Sequence, residues 1–83
     1  MISAAQIKAA RALLGMDQRE LSNTAEVAIS TVKRIELAEE LTGSVRTLWK
    51  IQTALERAGV EFIPADEHKG PGIRLKEKRT PAS

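Results

Sequence analysis

Apolar residues along this chain fall into four helix-like stripes and then switch to alternation. Ile7, Ala10 and Leu14 stand three and four apart, the spacing of one helix face. Ser3 ahead of them can accept from the free N–H groups of a first turn, and Gly15 supplies a stop, so a helix is predicted over 4–14. Its alanine-rich, unbranched composition favours helix locally. A second stripe, Leu21 and Ala25, follows Asp17, with Glu20 three residues on in a capping-box-like arrangement; the helix starts at about Gln18. Val27 falls out of phase with that face, so this helix ends near Ala25 or Glu26. A third helix begins near Ala28, buries Val32 and Ile35, and leaves Ile29, Ser30, Lys33 and Arg34 outward. Ser44 is the N-cap of a fourth over 45–58, ending at Gly59, with Leu48, Ile51 and Leu55 inward and Val45 and Ala58 at the ends of the stripe.

After Gly59 the period changes. Val60-Glu61-Phe62-Ile63-Pro64 alternates as a half-buried strand does; a polar turn containing Gly70, Pro71 and Gly72 follows; then Ile73-Arg74-Leu75-Lys76 alternates again. A lone two-stranded ribbon is marginal in water, so it needs further pairing. The same ribbon from a second copy would supply it, placing Val60, Phe62, Ile63, Ile73 and Leu75 at a dimer interface; the ribbon can instead pack on its own helices or capture a different protein. Trp49, off the inward stripe, either covers the core rim or joins that dimer contact. From Lys76 onward the chain reads as a frayed basic tail. The expected organisation is mainly α: a compact four-helix helix-turn-helix domain over 1–59, a strand-turn-strand dimerisation extension over 60–76, and a flexible tail over 77–83.

The second and third helices carry a combined pattern: Gln18 opening the first of the pair, Glu20-Leu21, Ala25 before the turn, Val27 after it, then Ser30-Thr31-Val32 and Arg34-Ile35-Glu36. This pattern resembles the helix-turn-helix of small phage-repressor-like regulators, the Cro/C1-type or Xre family. Two positions depart from it. Glu26 stands where the family usually has Gly, and must adopt a left-handed conformation at a cost of about 1–2 kcal/mol. Ala28 stands where Ser or Thr usually caps the recognition helix, so a capping bond worth about 1 kcal/mol is missing. The resemblance implies a recognition helix over about Ala28–Glu36 lying in a DNA major groove, and an ion pair between Arg11 and Glu36 that fixes how the first helix crosses the third. It also implies phosphate contacts from Thr42, Gly43 and Ser44 in the loop and next helix start, and from Arg19 and Thr31.

Chemistry then assigns the remaining contacts. The Gln18 amide and the helix end behind it suit a phosphate oxygen, and Arg46 adds charge in the fourth helix's first turn. On the recognition helix, Arg34 can give two hydrogen bonds to guanine, Ser30 can bond to several bases, and Ile29 can pack on a thymine methyl. Ala28 is small enough to let the helix end approach, and Lys33 reaches a base or a phosphate.

Charge alone does not announce this partner. The formal net charge is only +2, with five basic against six acidic residues in 1–43 and eight against five in 44–83. Glu39 and Glu40 oppose a phosphate role for their loop. Recognition therefore depends on Arg19, Lys33, Arg34 and Arg46 converging on one surface.

Composition narrows the alternatives. With 42% apolar and 29% charged residues, 83 residues make one small globular domain with little core to spare. The absence of Cys removes disulfides and thiolate metal sites and suits a reducing cytoplasm. No apolar run is long enough for a bilayer, and the first fifteen residues lack a secretion signal's apolar block, so a cytoplasmic protein, nucleoid-associated when bound to DNA, is expected. One His, His68 in a turn, and no Cys or Tyr leave neither a catalytic constellation nor a metal site, and no cofactor is expected. The expected function is that of a homodimeric, sequence-specific transcriptional regulator on an inverted-repeat operator in double-stranded DNA. An antitoxin-like or antiactivator-like module that sequesters a protein partner is the alternative, and an ordinary helical hairpin without a DNA partner is the plainest one.

Overall fold

The computed structural model describes residues 2–38 and 43–77. Four helices, α1 (Ala4–Leu14), α2 (Gln18–Ala25), α3 (Ile29–Leu37) and α4 (Val45–Ala58), precede two strands, β1 (Val60–Ile63) and β2 (Gly72–Leu75). The caps explain the boundaries. Ser3 and Gln6 make a reciprocal box, Gln6 N–H donating to Ser3 Oγ at 3.1 Å and Ser3 N–H to Gln6 Oε1 at 2.8 Å. Gly15 ends α1 at φ 64°, ψ 31°, where a side chain is strained. Ser44 caps α4 by accepting from Thr47 N–H at 3.1 Å.

One core unites the helices. Ile7 and Ala10 of α1, Leu21 and Ala25 of α2, Val32 and Ile35 of α3, and Leu48, Ile51, Ala54 and Leu55 of α4 are all buried, together with Ile2 and Val60. Leu14, Met16 and Val27 pack against its edge. α2 lies on both α3 and α4, and α1 on α3, α4 and both strands. No described helix is long and apolar enough to cross a membrane.

The inward stripe of α4 differs from the expected one at both ends. Val45 is 71% exposed and Ala58 is exposed, while Ala54 is buried between Ile51 and Leu55. At 100° per residue, Val45 and Trp49 lie about 40° from each other and more than a quarter turn from the centre of the buried stripe. They share the opposite face. Trp49 accordingly remains 63% exposed instead of covering the core rim.

The ribbon pairs within the chain. Its strands run antiparallel in the register Val60↔Leu75, Glu61↔Arg74, Phe62↔Ile73 and Ile63↔Gly72. Glu61 and Arg74, directly opposite and exposed, form an ion pair. The apolar side, with Phe62, Ile73 and Leu75 half-buried, packs on the chain's own core. Val60, expected at a dimer interface, is wholly buried there and has no surface left to offer. Two side chains fasten the ribbon to the helices. Buried Gln6 donates through Nε2 to Gly72 O at 2.8 Å and to Ile63 O at 3.4 Å. Lys76, expected to begin the frayed tail, is anchored: its N–H donates to Gly59 O at 2.8 Å and its Nζ to Glu56 O at 2.7 Å. Neither fastening has a periodic signature in the sequence, because each is one polar side chain reaching a distant carbonyl.

Candidate nucleic-acid interface

The candidate interface is built on α2, its turn and α3. Asp17 Oδ1 accepts from Glu20 N–H at 2.8 Å, making the forward half of the expected capping box and fixing the start of α2. Buried Ser22 satisfies its hydroxyl by donating to Arg19 O at 2.7 Å. At the far end Glu26 takes the left-handed conformation, φ 59°, ψ 46°, and is the sole described non-glycine residue with positive φ. The strain supports a tight reversal: Glu26 N–H reaches Asn23 O at 3.3 Å and Val27 N–H reaches Ser22 O at 3.0 Å. Ala28 then sits at the N-cap of α3 with extended backbone and no side-chain capping bond. The observed helix starts at Ile29 and runs one residue past Glu36, to Leu37.

Burying Val32 and Ile35 sets the outward face of α3. Ser30, Lys33 and Arg34 are exposed, as is Ala28 at the helix start, while Ile29 and Thr31 are half-buried at the flanks. The four-residue step from Ser30 to Arg34 keeps both on one ridge, with Lys33 beside it. Among the described residues neither Lys33 nor Arg34 is held in an ion pair. Leu37 continues the ridge to its end and is 84% exposed.

Behind the ridge is a polar clamp. Arg11 of α1 donates from Nε to Glu36 Oε2 at 2.7 Å and from Nη2 to Glu36 Oε1 at 2.6 Å, the two-pronged pairing of guanidinium and carboxylate. Its remaining nitrogen, Nη1, donates to Met16 O at 3.1 Å. Glu36 is 4% exposed and the Arg11 side chain 20%. The hydrogen bonds that Arg11 donates to Glu36, then the carboxylate's charge, hold the Arg11 pKa above its ordinary value despite burial. A third donor joins: Gln18 Nε2 reaches Glu36 Oε1 at 3.2 Å. One carboxylate thus ties α1, the start of α2 and the end of α3 together.

That third bond alters the expectation for Gln18, whose amide nitrogen turns inward to Glu36 while neighbouring Arg19 is exposed. Of the other residues considered for phosphate, Arg46 is exposed, and Gly43 sits at φ 104° with Ile35 Cδ1 3.8 Å from where a Cβ would stand. Ser44 Oγ accepts the capping bond and donates to Thr47 Oγ1 at 2.9 Å, so it serves α4. Thr42, Glu39 and Glu40 lie outside the described residues. Trp49, Ile63, Phe62, Ile73 and Leu75 do not gather with the ridge: the first is on α4, the others on the ribbon. Among the described residues no three His, Asp or Glu side chains are grouped as metal ligands would be.

Compared with known proteins, the chain matches no family and no curated protein.

Proposed function

We propose that the chain is a sequence-specific DNA-binding transcriptional regulator of the Cro/C1-like kind, acting as a homodimer on an inverted-repeat operator in the cytoplasm. The observation that carries this reading is the exposed ridge of α3: Ser30, Lys33 and Arg34 project together on a helix whose buried side is fixed to α1 and α2 through Glu36. A helix about 10–12 Å across fits a major groove about 12 Å wide. Arg34 pairs with a guanine edge, Ser30 bonds to an adjacent base, and Ile29 packs against a thymine methyl. Ala28, with no long side chain, lets the start of α3 come close to the bases. Lys33, Arg19 and Arg46 neutralise phosphates and fix register. Gln18 serves the same end indirectly, by aligning α2 on Glu36.

Selection of bound duplexes from a random pool, with stoichiometry measured on the winner, tests this reading. The expected product is an inverted repeat with half-site centres about 34–36 Å apart, or a multiple, carrying two chains and losing affinity steeply with added salt. Failure to enrich any sequence, together with stable copurification of an unrelated protein, would replace the regulator with a partner-sequestering module.

A further inference from the structure

The cations of α4 fall on one line. Arg46, Lys50, Thr53 and Arg57 follow one another at steps of four, three and four residues, so at 100° per residue they share about 60° of the helix surface and span about 16 Å of its length. Arg46 and Arg57 are exposed, and Lys50 is half-buried at the edge of the groove between α4 and α2. No carboxylate of α4 stands on that line: Glu56 lies about a quarter turn from its centre, where it accepts from Gln52 Nε2 at 3.5 Å. Among the described residues none of the three cations is held in an ion pair. We propose that this stripe, with Trp49 on its flank, binds an acidic segment of another protein, its carboxylates spaced along the three cations and one apolar side chain seated beside Trp49.

The stability of α4 does not account for the stripe. Arg46 in the first turn opposes the positive end of the helix dipole, Arg46 and Lys50 repel across a four-residue step, and none of the three cations has an Asp or Glu three or four residues away on α4. Arg57 alone, in the last turn, suits the dipole. Charge then selects the occupant. A second copy presents the same cations: paired antiparallel it sets Arg46 against Arg57, and paired parallel it sets each cation against itself, so it is repelled where an acidic surface is attracted. The apolar anchor has its own seat. Beside the stripe is a groove of about 270 Å³ with buried Ala25 and Ala54 in its floor and Trp49, 63% exposed, on its wall. A large, rigid aromatic left in water beside such a groove gives a partner apolar area to cover. Glu26 on the α2 rim is exposed and repels a chain of phosphates, whereas a protein segment can leave that position uncharged.

The stripe and the α3 ridge are separate surfaces. Lys50, Trp49 and Arg57 have no part in the DNA-binding reading, and Lys50 and Arg57 stand about 6 and 16 Å further along α4 than Arg46, the one residue that both use. The inference therefore stands without that reading, and its test contains no operator. Exposed charge pairs are individually weak and are screened by salt, so a short acidic segment binds with a dissociation constant of roughly 0.1 mM.

Trp49 is the chain's one tryptophan, so its emission reports the site directly. The probe is a dye-labelled, alanine-based helical peptide of about 18 residues, without Trp, whose Glu residues repeat the spacing of Arg46, Lys50 and Arg57 and whose single Leu falls opposite Thr53. Expected are saturable binding by anisotropy, a blue shift of Trp49 emission at the same concentrations, and affinity that falls with added salt. The same peptide with Gln for Glu binds at least about tenfold more weakly. Lys50→Glu combined with Arg57→Glu loses about tenfold or more for the Glu peptide and gains affinity for its Lys counterpart, while Trp49→Ala loses about tenfold. Circular dichroism checks each fold; if the double reversal unfolds, Arg57→Glu alone, at an exposed position, carries the same test with a loss of about threefold. Absence of saturable binding, equal affinity for the Glu and Gln peptides, or unchanged affinity in a folded charge-reversed variant overturns the proposal. Random-sequence single-stranded DNA that shifts Trp49 emission at lower concentration than the peptide overturns it in favour of a nucleic-acid site. Trp49 emission that shifts with chain concentration alone overturns it in favour of a second copy.

Discussion

Replacing Glu36 with Ala removes the carboxylate on which three helices converge, and the structure sets the cost. Two bonds from Arg11, at 2.7 and 2.6 Å, and one from Gln18, at 3.2 Å, are lost together. Breaking a fully buried pair by deleting one partner costs about 3–5 kcal/mol, mostly for the charge left behind. Arg11 keeps its bond to Met16 O and its side chain is 20% exposed, so water takes part of the burden. The expected loss is about 2–3 kcal/mol, a large fraction of the roughly 5 kcal/mol typical of a small domain. Replacing both partners, Arg11→Met with Glu36→Leu, removes the stranded charge and is expected within about 1 kcal/mol of wild type. Urea unfolding followed by far-UV circular dichroism of wild type, Arg11→Met, Glu36→Leu and the double variant completes the cycle, and a coupling of about 2 kcal/mol is expected. A Glu36→Ala loss under about 0.5 kcal/mol, or an additive cycle, would show that the two charges act as separate surface groups.

Three further substitutions test local features. Glu26→Gly relieves the left-handed backbone at φ 59° and is expected to stabilise by about 1 kcal/mol, read as a higher urea midpoint with unchanged slope; no gain would mean that the turn carries no strain. Ala28→Ser provides the missing cap of α3, and its expected gain of about 0.5–1 kcal/mol in the same assay fails if the hydroxyl cannot reach the free N–H groups. Gln6→Ala releases Gly72 O and Ile63 O and opens the capping box of α1, at a cost of about 1–3 kcal/mol. Its effect is expected first in faster amide exchange of β1 and β2, and uniform exchange across the chain would contradict the fastening role.

What the sequence made legible was punctuation and period. Ser3, Gly15, Asp17, Ser44 and Gly59 stand at the helix ends because caps and stops are local chemistry. The ridge of α3 followed from burying Val32 and Ile35, and the strain at Glu26 from the turn's demand for positive φ. The misses were non-local. Val45 is apolar and near the stripe in sequence, but its angle around α4 points it outward, while small Ala54 enters the core because its angle points in. Ile2, Gln6 and Lys76 depend on where the ribbon comes to rest, which no spacing within one element reveals. The Arg11–Glu36 pair was visible only through the family resemblance, and Gln18's place beside it was not visible at all.

The most direct measurement of the central claim is the base-by-base binding profile of wild type and Arg34→Ala over every single substitution of the selected duplex. Arg34 is exposed and outside the core, so the variant keeps its fold. If the α3 ridge reads base edges, the variant loses about 1–3 kcal/mol and its discrimination relaxes at one base pair in each half-site alone. A loss spread evenly over all sequences, with the salt dependence reduced by about one phosphate contact, would make Arg34 a backbone anchor and contradict the account.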